Sequence, residues 1–346
     1  MSISAPDVSE ERPPAPVKRS EPVFASRPSA SQPLRLRTLL SWPIASLVAL
    51  IVHQVVAAKQ PAVETRLYST FLAIVLALAI GAAVTQYFWP RLRNWMRQMA
   101  PILAAAVTIT VVWEVITSGL RLLPMPYFPG PPGVLQSLVN DRGLLLDSTW
   151  HSLFLLLSGY ALGVVIALIT GICIGWFGHA RYWGMPLLKV VGPIPATAWI
   201  PLAMVVSPSA IFSAIGIIAL AVWFPVTMLT ASGISNTRAS YLDVARTLGA
   251  NRWYLIFRVA IPAAMPSIFI GLFMGLGASF LTLIVAETVG VKSGLGWYVA
   301  WAQGWAEYGK VYAALVIMAA FFSTIMTVLF KVRDRVLVWQ KGIIKW

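Results

Sequence analysis

Charge is scarce in this sequence. Only 11% of its 346 residues are Asp, Glu, Lys or Arg, against about 25% in an ordinary soluble domain. With 58% hydrophobic residues, most of the chain is built to face something other than water. Cysteine is almost absent. The single Cys173 excludes an intrachain disulfide and a cysteine-rich metal centre. Three widely separated histidines, His53, His151 and His179, offer no metal-ligand spacing and no nucleophile–base constellation. A Gly-x-x-x-x-Gly-Lys-Ser/Thr phosphate loop is missing, which excludes ATP hydrolysis by the usual means. Acidic residues are also few, 12 against 26 Lys and Arg. In a soluble protein that excess suggests nucleic acid. Here it is better explained by basic loops held on one side of a membrane. The sequence therefore predicts no catalytic, cofactor or metal site.

What is abundant is long apolar runs. A helix needs about 20 such residues to cross the hydrocarbon layer. The runs predict an all-α polytopic membrane protein with about eight crossings, near 39–58, 69–89, 99–120, 150–176, 186–206, 211–232, 265–286 and 312–330. In the fifth, Lys189, Pro193, Pro195 and Pro201 interrupt the run, so a re-entrant or interfacial segment competes with a crossing there. Residues 1–37 are rich in Pro, Ser, Arg and Glu. They cannot bury enough surface to offset the entropy of ordering, and they lack the apolar core of a signal peptide. This tail is expected to be disordered and cytoplasmic.

Loop charges alternate. Arg35 and Arg37 precede the first run; Arg91, Arg93 and Arg97 follow the second; Arg181 and Lys189 follow the fourth. Arg238, Arg246, Arg252 and Arg258 face only Asp243 after the sixth, and Lys331, Arg333, Arg335, Lys341 and Lys345 face Asp334 after the eighth. The intervening loops are balanced or uncharged, as where Lys292 and Lys310 meet Glu287 and Glu307. The positive-inside rule then places both termini in the cytoplasm. Trp42, Trp89, Trp95, Trp297 and Trp339 fall mostly near the ends of the runs, where an interfacial aromatic belt is expected. There is no internal repeat of the kind found in two-halved secondary transporters.

Within the span beginning at residue 150, Gly159, Gly163, Gly171 and Gly175 recur at four-residue spacing or its multiple. Small residues so placed let helices approach closely, so packing is favoured over a pathway lining. Glu114 and Glu287 lie near the outer ends of their spans. Glu114 is expected to be paired or exposed, and His53 and His151 to be structural. The stretch 193–201, whose prolines free carbonyl groups at membrane depth, suits the wall of a watery cavity. A simple kink is the alternative.

The loop after the sixth run is the most informative segment. It reads from Tyr241 through Asp243, Val244, Ala245, Arg246, Thr247, Leu248 and Gly249 to Val259, Ile261 and Pro262. Residues 240–248 fit one short helix, Gly249 suits the left-handed position after its end, and Asn251 suits the N-cap of a second helix to about 261. On these grounds alone the loop could be an amphipathic element lying on lipid headgroups. It resembles, however, the cytoplasmic coupling loop of ATP-binding-cassette (ABC) importer permeases: Glu-Ala-Ala, three residues, Gly, nine residues, Ile-x-Leu-Pro. Asp243, Val244, Ala245, Gly249, Val259, Ile261 and Pro262 stand at the matching positions, with Asp, Val, Val and Ile as mild departures.

The resemblance covers roughly residues 100–340 and includes Phe128-Pro-Gly-Pro-Pro-Gly133, His151-Ser-Leu with Gly159-Tyr-Ala-Leu-Gly163, Pro193-Ile-Pro195-Ala-Thr197-Ala-Trp199-Ile-Pro201, and Ala286-Glu287 followed by Ser293-Gly-Leu-Gly296. These are similar to the nitrate, sulfonate, taurine and bicarbonate branch of the family. It implies a type I ABC importer-like core over 98–346 with a coupling loop at about 236–264, to which residues 38–97 add two spans. It also implies an inner-membrane location, two separate ABC ATPase subunits, an extracytoplasmic substrate-binding protein, a permease homodimer, and a small oxyanion as solute. Under it, Pro193, Pro195, Thr197, Trp199, Pro201 and Glu287 become pathway or gate residues. The alternatives are an ion-coupled secondary transporter, which should carry carboxylates near mid-span, and an importer permease for an amine or vitamin precursor.

Overall fold

A computed structural model describes residues 36–56 and 63–340. Most of the tail expected over 1–37, and the basic residues Lys59, Lys341 and Lys345, lie outside the described residues.

Among the described residues the regular structure is entirely helical. In order these are α1 (Leu36–Val55), α2 (Thr65–Thr85), α3 (Pro90–Glu114), α4 (Pro131–Asn140), α5 (Arg142–Trp176), α6 (Gly178–Val191), α7 (Ile200–Val206), α8 (Ala210–Ser235), α9 (Ala239–Thr247), α10 (Arg252–Tyr254), α11 (Ile261–Val289), α12 (Leu295–Gly304) and α13 (Tyr308–Val336). Six helical stretches are long and apolar enough to cross a bilayer: Thr65–Thr85, Pro90–Gly119, Arg142–Trp176, Ala210–Ser235, Arg252–Val289 and Tyr308–Val336. The first expected span is shorter, with Leu40–Val55 as its apolar part.

The fifth expected span is two helices that meet at 85°. Pro193 and Pro195, which lack N–H groups, end α6 at Val191, and a tight turn over Ala196–Trp199 starts α7. Its partners on α8 show where the broken unit goes. Arg181 reaches Ser235, Leu188 packs with Met228 and Ala231, Gly192 lies against Phe224, and Ile200 packs with Ile217 and Ala214. These positions fall steadily from the end of α8 to its beginning. The unit runs along α8 in the opposite direction, from its end to its beginning.

The centre of the bundle is α5 against α8, with α11 packed against both. A Cβ placed on Gly159, Gly171 or Gly175 would come within 2.6, 2.7 or 2.8 Å of side chains of Ile218, Thr230 or Ile234. The spaced glycines are thus a packing device. Polar links stitch the same seam: Trp223 Nε1 donates to Thr170 Oγ1 at 3.0 Å, and Thr170 lies 3.0 Å from Thr227 Oγ1. Such links satisfy polar groups where lipid offers no partner.

The sequence predicts a second loop helix ending near 261 and a separate span from 265. The structure instead joins them into one continuous helical stretch, Arg252–Val289. Pro262 has no N–H to give to Arg258. The ladder absorbs this with a wide turn over Leu255–Ala260 rather than with a break.

Candidate functional site

The loop between α8 and α11 is an ordered helix–turn–helix. α9 ends in a left-handed turn at Gly249, with φ of +81°. Gly249 N–H donates to the Arg246 carbonyl at 2.9 Å, and Ala250 N–H to the Ala245 carbonyl at 3.0 Å. This is the Schellman arrangement, which occupies otherwise orphaned carbonyls at a helix end. Asn251 then caps the next helix, its Oδ1 accepting Tyr254 N–H at 2.8 Å. No residue of α9 is buried. Tyr241, Val244 and Leu248, at i, i+3 and i+7, present one exposed apolar stripe, with Leu248 82% accessible. A nine-residue helix has little stability of its own. An exposed apolar stripe held by such a turn is the form of a docking surface.

Of the motif positions, Val244, Ala245, Gly249 and Val259 border one groove of about 520 Å³ beside α9. Asp243 stands outside it and pairs with Arg246 at 3.0 Å on the exposed side. Ile261 and Pro262 are half-buried at the root of α11, where they set its direction.

The break between α6 and α7 opens on a cavity of about 390 Å³. Pro195, Thr197 and Trp199 line it; Pro193 and Pro201 are exposed and do not. Facing them are Phe224 on α8 and Met274, Leu281 and Thr282 on α11. Every lining residue is apolar or neutral. Residues of α8 and α11 escape the sequence reading because an apolar run does not reveal which of its faces meets a cavity. Thr282, a hydroxyl in such a run, was the only signal.

Glu287 is elsewhere. Its carboxylate is buried and accepts Ser152 Oγ–H at 2.6 Å and Gly296 N–H at 2.7 Å, while Ser152 Oγ accepts Leu295 N–H at 2.8 Å. Gly294, at φ +104°, and Gly296 leave the room it needs; a Cβ at Gly294 would collide with the carboxylate, and one at Gly296 with the Ile284 carbonyl and the Glu287 side chain. Glu287 therefore ties the turn before α12 to the start of α5 and does not border the cavity. Glu114 pairs with His53 at 2.5 Å between α3 and α1, and His53 Nε2 lies 2.9 Å from Ser69 Oγ on α2. His151 is exposed beside Asp147.

Residues 159–337 match the family model described as "Binding-protein-dependent transport system inner membrane component". A probable ABC transporter permease protein of Brucella abortus (strain 2308) is 32% identical over 216 residues, which covers 62% of this chain and 86% of that protein. The taurine transport system permease protein TauC of Escherichia coli (strain K12) is 29% identical over 238 residues, covering 67% and 85%. The putative aliphatic sulfonates transport permease protein SsuC of Bacillus subtilis (strain 168) is 30% identical over 228 residues, covering 65% and 81%.

Proposed function

Because the chain belongs to the binding-protein-dependent transport system inner membrane component family, as a multi-pass permease subunit of an ABC importer, we propose that the solute it passes is a small oxyanion of the nitrate, sulfonate, taurine or bicarbonate class. Two relatives named for taurine and aliphatic sulfonates support this. The pathway is the cavity at the broken crossing. Its neutral lining, with Thr197 and Thr282 hydroxyls among apolar walls, would hold an anion weakly, as a conduit must if its cargo is to leave. Selection then rests with an extracytoplasmic binding protein.

The observation that carries the mechanism is the exposed stripe Tyr241–Val244–Leu248 on a helix fixed by the Gly249 turn. This loop, 236–264, would seat on a separate ATPase subunit. A second copy of the chain would close the open side of the cavity, so that two ATPases serve two loops and this chain hydrolyses no ATP. ATP binding draws the ATPases together and biases the bundle between inward-facing and outward-facing states, which the ligands populate unequally. Asp243 offers the one acidic charge on α9. The full arrangement has eight crossings and cytoplasmic termini, a type I importer-like core over 98–346, and residues 38–97 as an addition. Glu287 acts at the outer gate only indirectly, by holding the turn before α12.

Proteoliposomes holding this chain with its ATPase, supplied with its binding protein, test the solute. Concentrative, ATP-dependent uptake of one of these anions is expected. Uptake of an amine or a vitamin precursor with no anion uptake would overturn the oxyanion assignment and leave the importer class standing.

A further inference from the structure

At the end of the bundle where α5 and α8 finish, three arginines from three elements face one pocket. Arg181 lies in the first turn of α6, Arg246 on α9 and Arg252 at the start of α10. With Ser235 and Thr237 they line a space of about 560 Å³, and no carboxylate lines it. Two of the guanidinium groups are already held in place. Arg181 Nη2 donates to the Gly175 carbonyl and to Ser235 Oγ, each at 2.6 Å, and its Nε donates to the Ile174 carbonyl at 3.3 Å. Arg252 lies over the Phe177 ring, 4.4 Å from its centre. Arg246 is free to turn inward, because its ion pair with Asp243 is 57% and 64% exposed on its two sides and such pairs are worth little.

Gathering like charges without an acid is unfavourable unless an anion completes the set. Arginine forks match the geometry of phosphate oxygens. The depth of the pocket is also marked. Tyr182 and Trp183, next to Arg181, are 71% and 76% exposed and lie edge to face. Amphipathic rings so exposed on a membrane protein sit at headgroup level.

We propose that this pocket binds a phosphate oxyanion, taken from the headgroup of an anionic lipid or from free inorganic phosphate. Basic pockets between helices at the membrane surface favour such groups. The bound anion bridges α9 to the ends of α5 and α8, and so restrains the loop. The inference needs the membrane setting but not the identity of the solute.

The test uses the full chain in nanodiscs. One arm compares phosphatidylcholine with phosphatidylcholine plus phosphatidylglycerol, reading lipid retention by native mass spectrometry and the midpoint of thermal unfolding. The other titrates inorganic phosphate into phosphatidylcholine nanodiscs. Arg246→Gln combined with Arg252→Gln is expected to weaken the anion about ten-fold or more, as for loss of charge-assisted hydrogen bonds. Arg91→Gln combined with Arg97→Gln, which removes equal charge elsewhere, should leave it unchanged. A response only to phosphatidylglycerol assigns the site to lipid, and a response to inorganic phosphate in phosphatidylcholine nanodiscs assigns it to the free ion. Equal weakening by both double variants, or no response in either arm, would overturn the proposal.

Discussion

Gly163 and Ala219 meet backbone to backbone: a Cβ on Gly163 would stand 2.6 Å from the Ala219 carbonyl oxygen. Because the obstacle is main chain, α5 and α8 would have to separate to admit a side chain. Gly163→Val should therefore cost about 1–3 kcal/mol or more, seen as a lower unfolding midpoint and a poorer yield of folded protein. Gly216→Ala, where nothing lies within 4 Å of the new Cβ, is the matched comparison and should leave both unchanged. Equal effects would show that the glycines are not the seam.

Ser152 links Glu287 to the turn before α12. Ser152→Ala leaves the Leu295 N–H without its acceptor and one carboxylate oxygen without its donor, both buried. The expected loss is about 1–3 kcal/mol. If Glu287 only fastens this turn, Ser152→Ala and Glu287→Gln should lower thermal stability while uptake per folded molecule stays near that of the parent. Abolished transport at unchanged stability would instead place Glu287 in the gate.

The pair His53–Glu114 fastens α1 to α3, with side chains only 4% and 3% exposed. His53→Ala leaves the buried Glu114 side chain without its hydrogen-bond partner and should cost about 1–3 kcal/mol. Replacing both residues with Leu should recover much of that loss. A chain beginning near residue 90 should still assemble with its ATPase, and better with Glu114→Gln than without it. Failure of both truncated forms to assemble, with normal insertion, would show that residues 38–97 belong to the core.

Labelling tests the orientation. With Cys173 replaced by Ala, a single cysteine at position 95, 182 or 250 should react with membrane-impermeant maleimide only after the membrane is opened. Reaction at position 250 from outside would invert the topology drawn from the loop charges.

How much could be read beforehand differs by element. The apolar runs gave the long helices, since lipid leaves the backbone few other forms. The Gly249 turn and the Asn251 cap were legible because each depends on local chemistry at one residue. The spacing of Gly159, Gly163, Gly171 and Gly175 gave a contact face. The 85° break was legible only as a set of prolines, because its angle depends on where α7 finds α8 again. α4 and α12, each of ten residues, lack the length that marks a span. The partners of Glu287, Ser152 at a separation of 135 residues among them, and the cavity faces of α8 and α11 follow from tertiary packing. No periodicity in the sequence encodes them.

The proposed coupling of α9 to an ATPase is tested most directly at Gly249. The space around a Cβ at this position is open, so within this chain a substitution acts through the backbone. The left-handed conformation costs a β-branched residue roughly 1–2 kcal/mol, whereas Asn adopts it more readily. The measurement is ATPase activity stimulated by loaded binding protein in the reconstituted complex. Gly249→Val should insert normally yet lose most of the stimulation, as should Asp243→Lys, while Gly249→Asn should retain it. Full stimulation in both Gly249→Val and Asp243→Lys would contradict the account and leave α9 as an element that merely rests on the membrane surface.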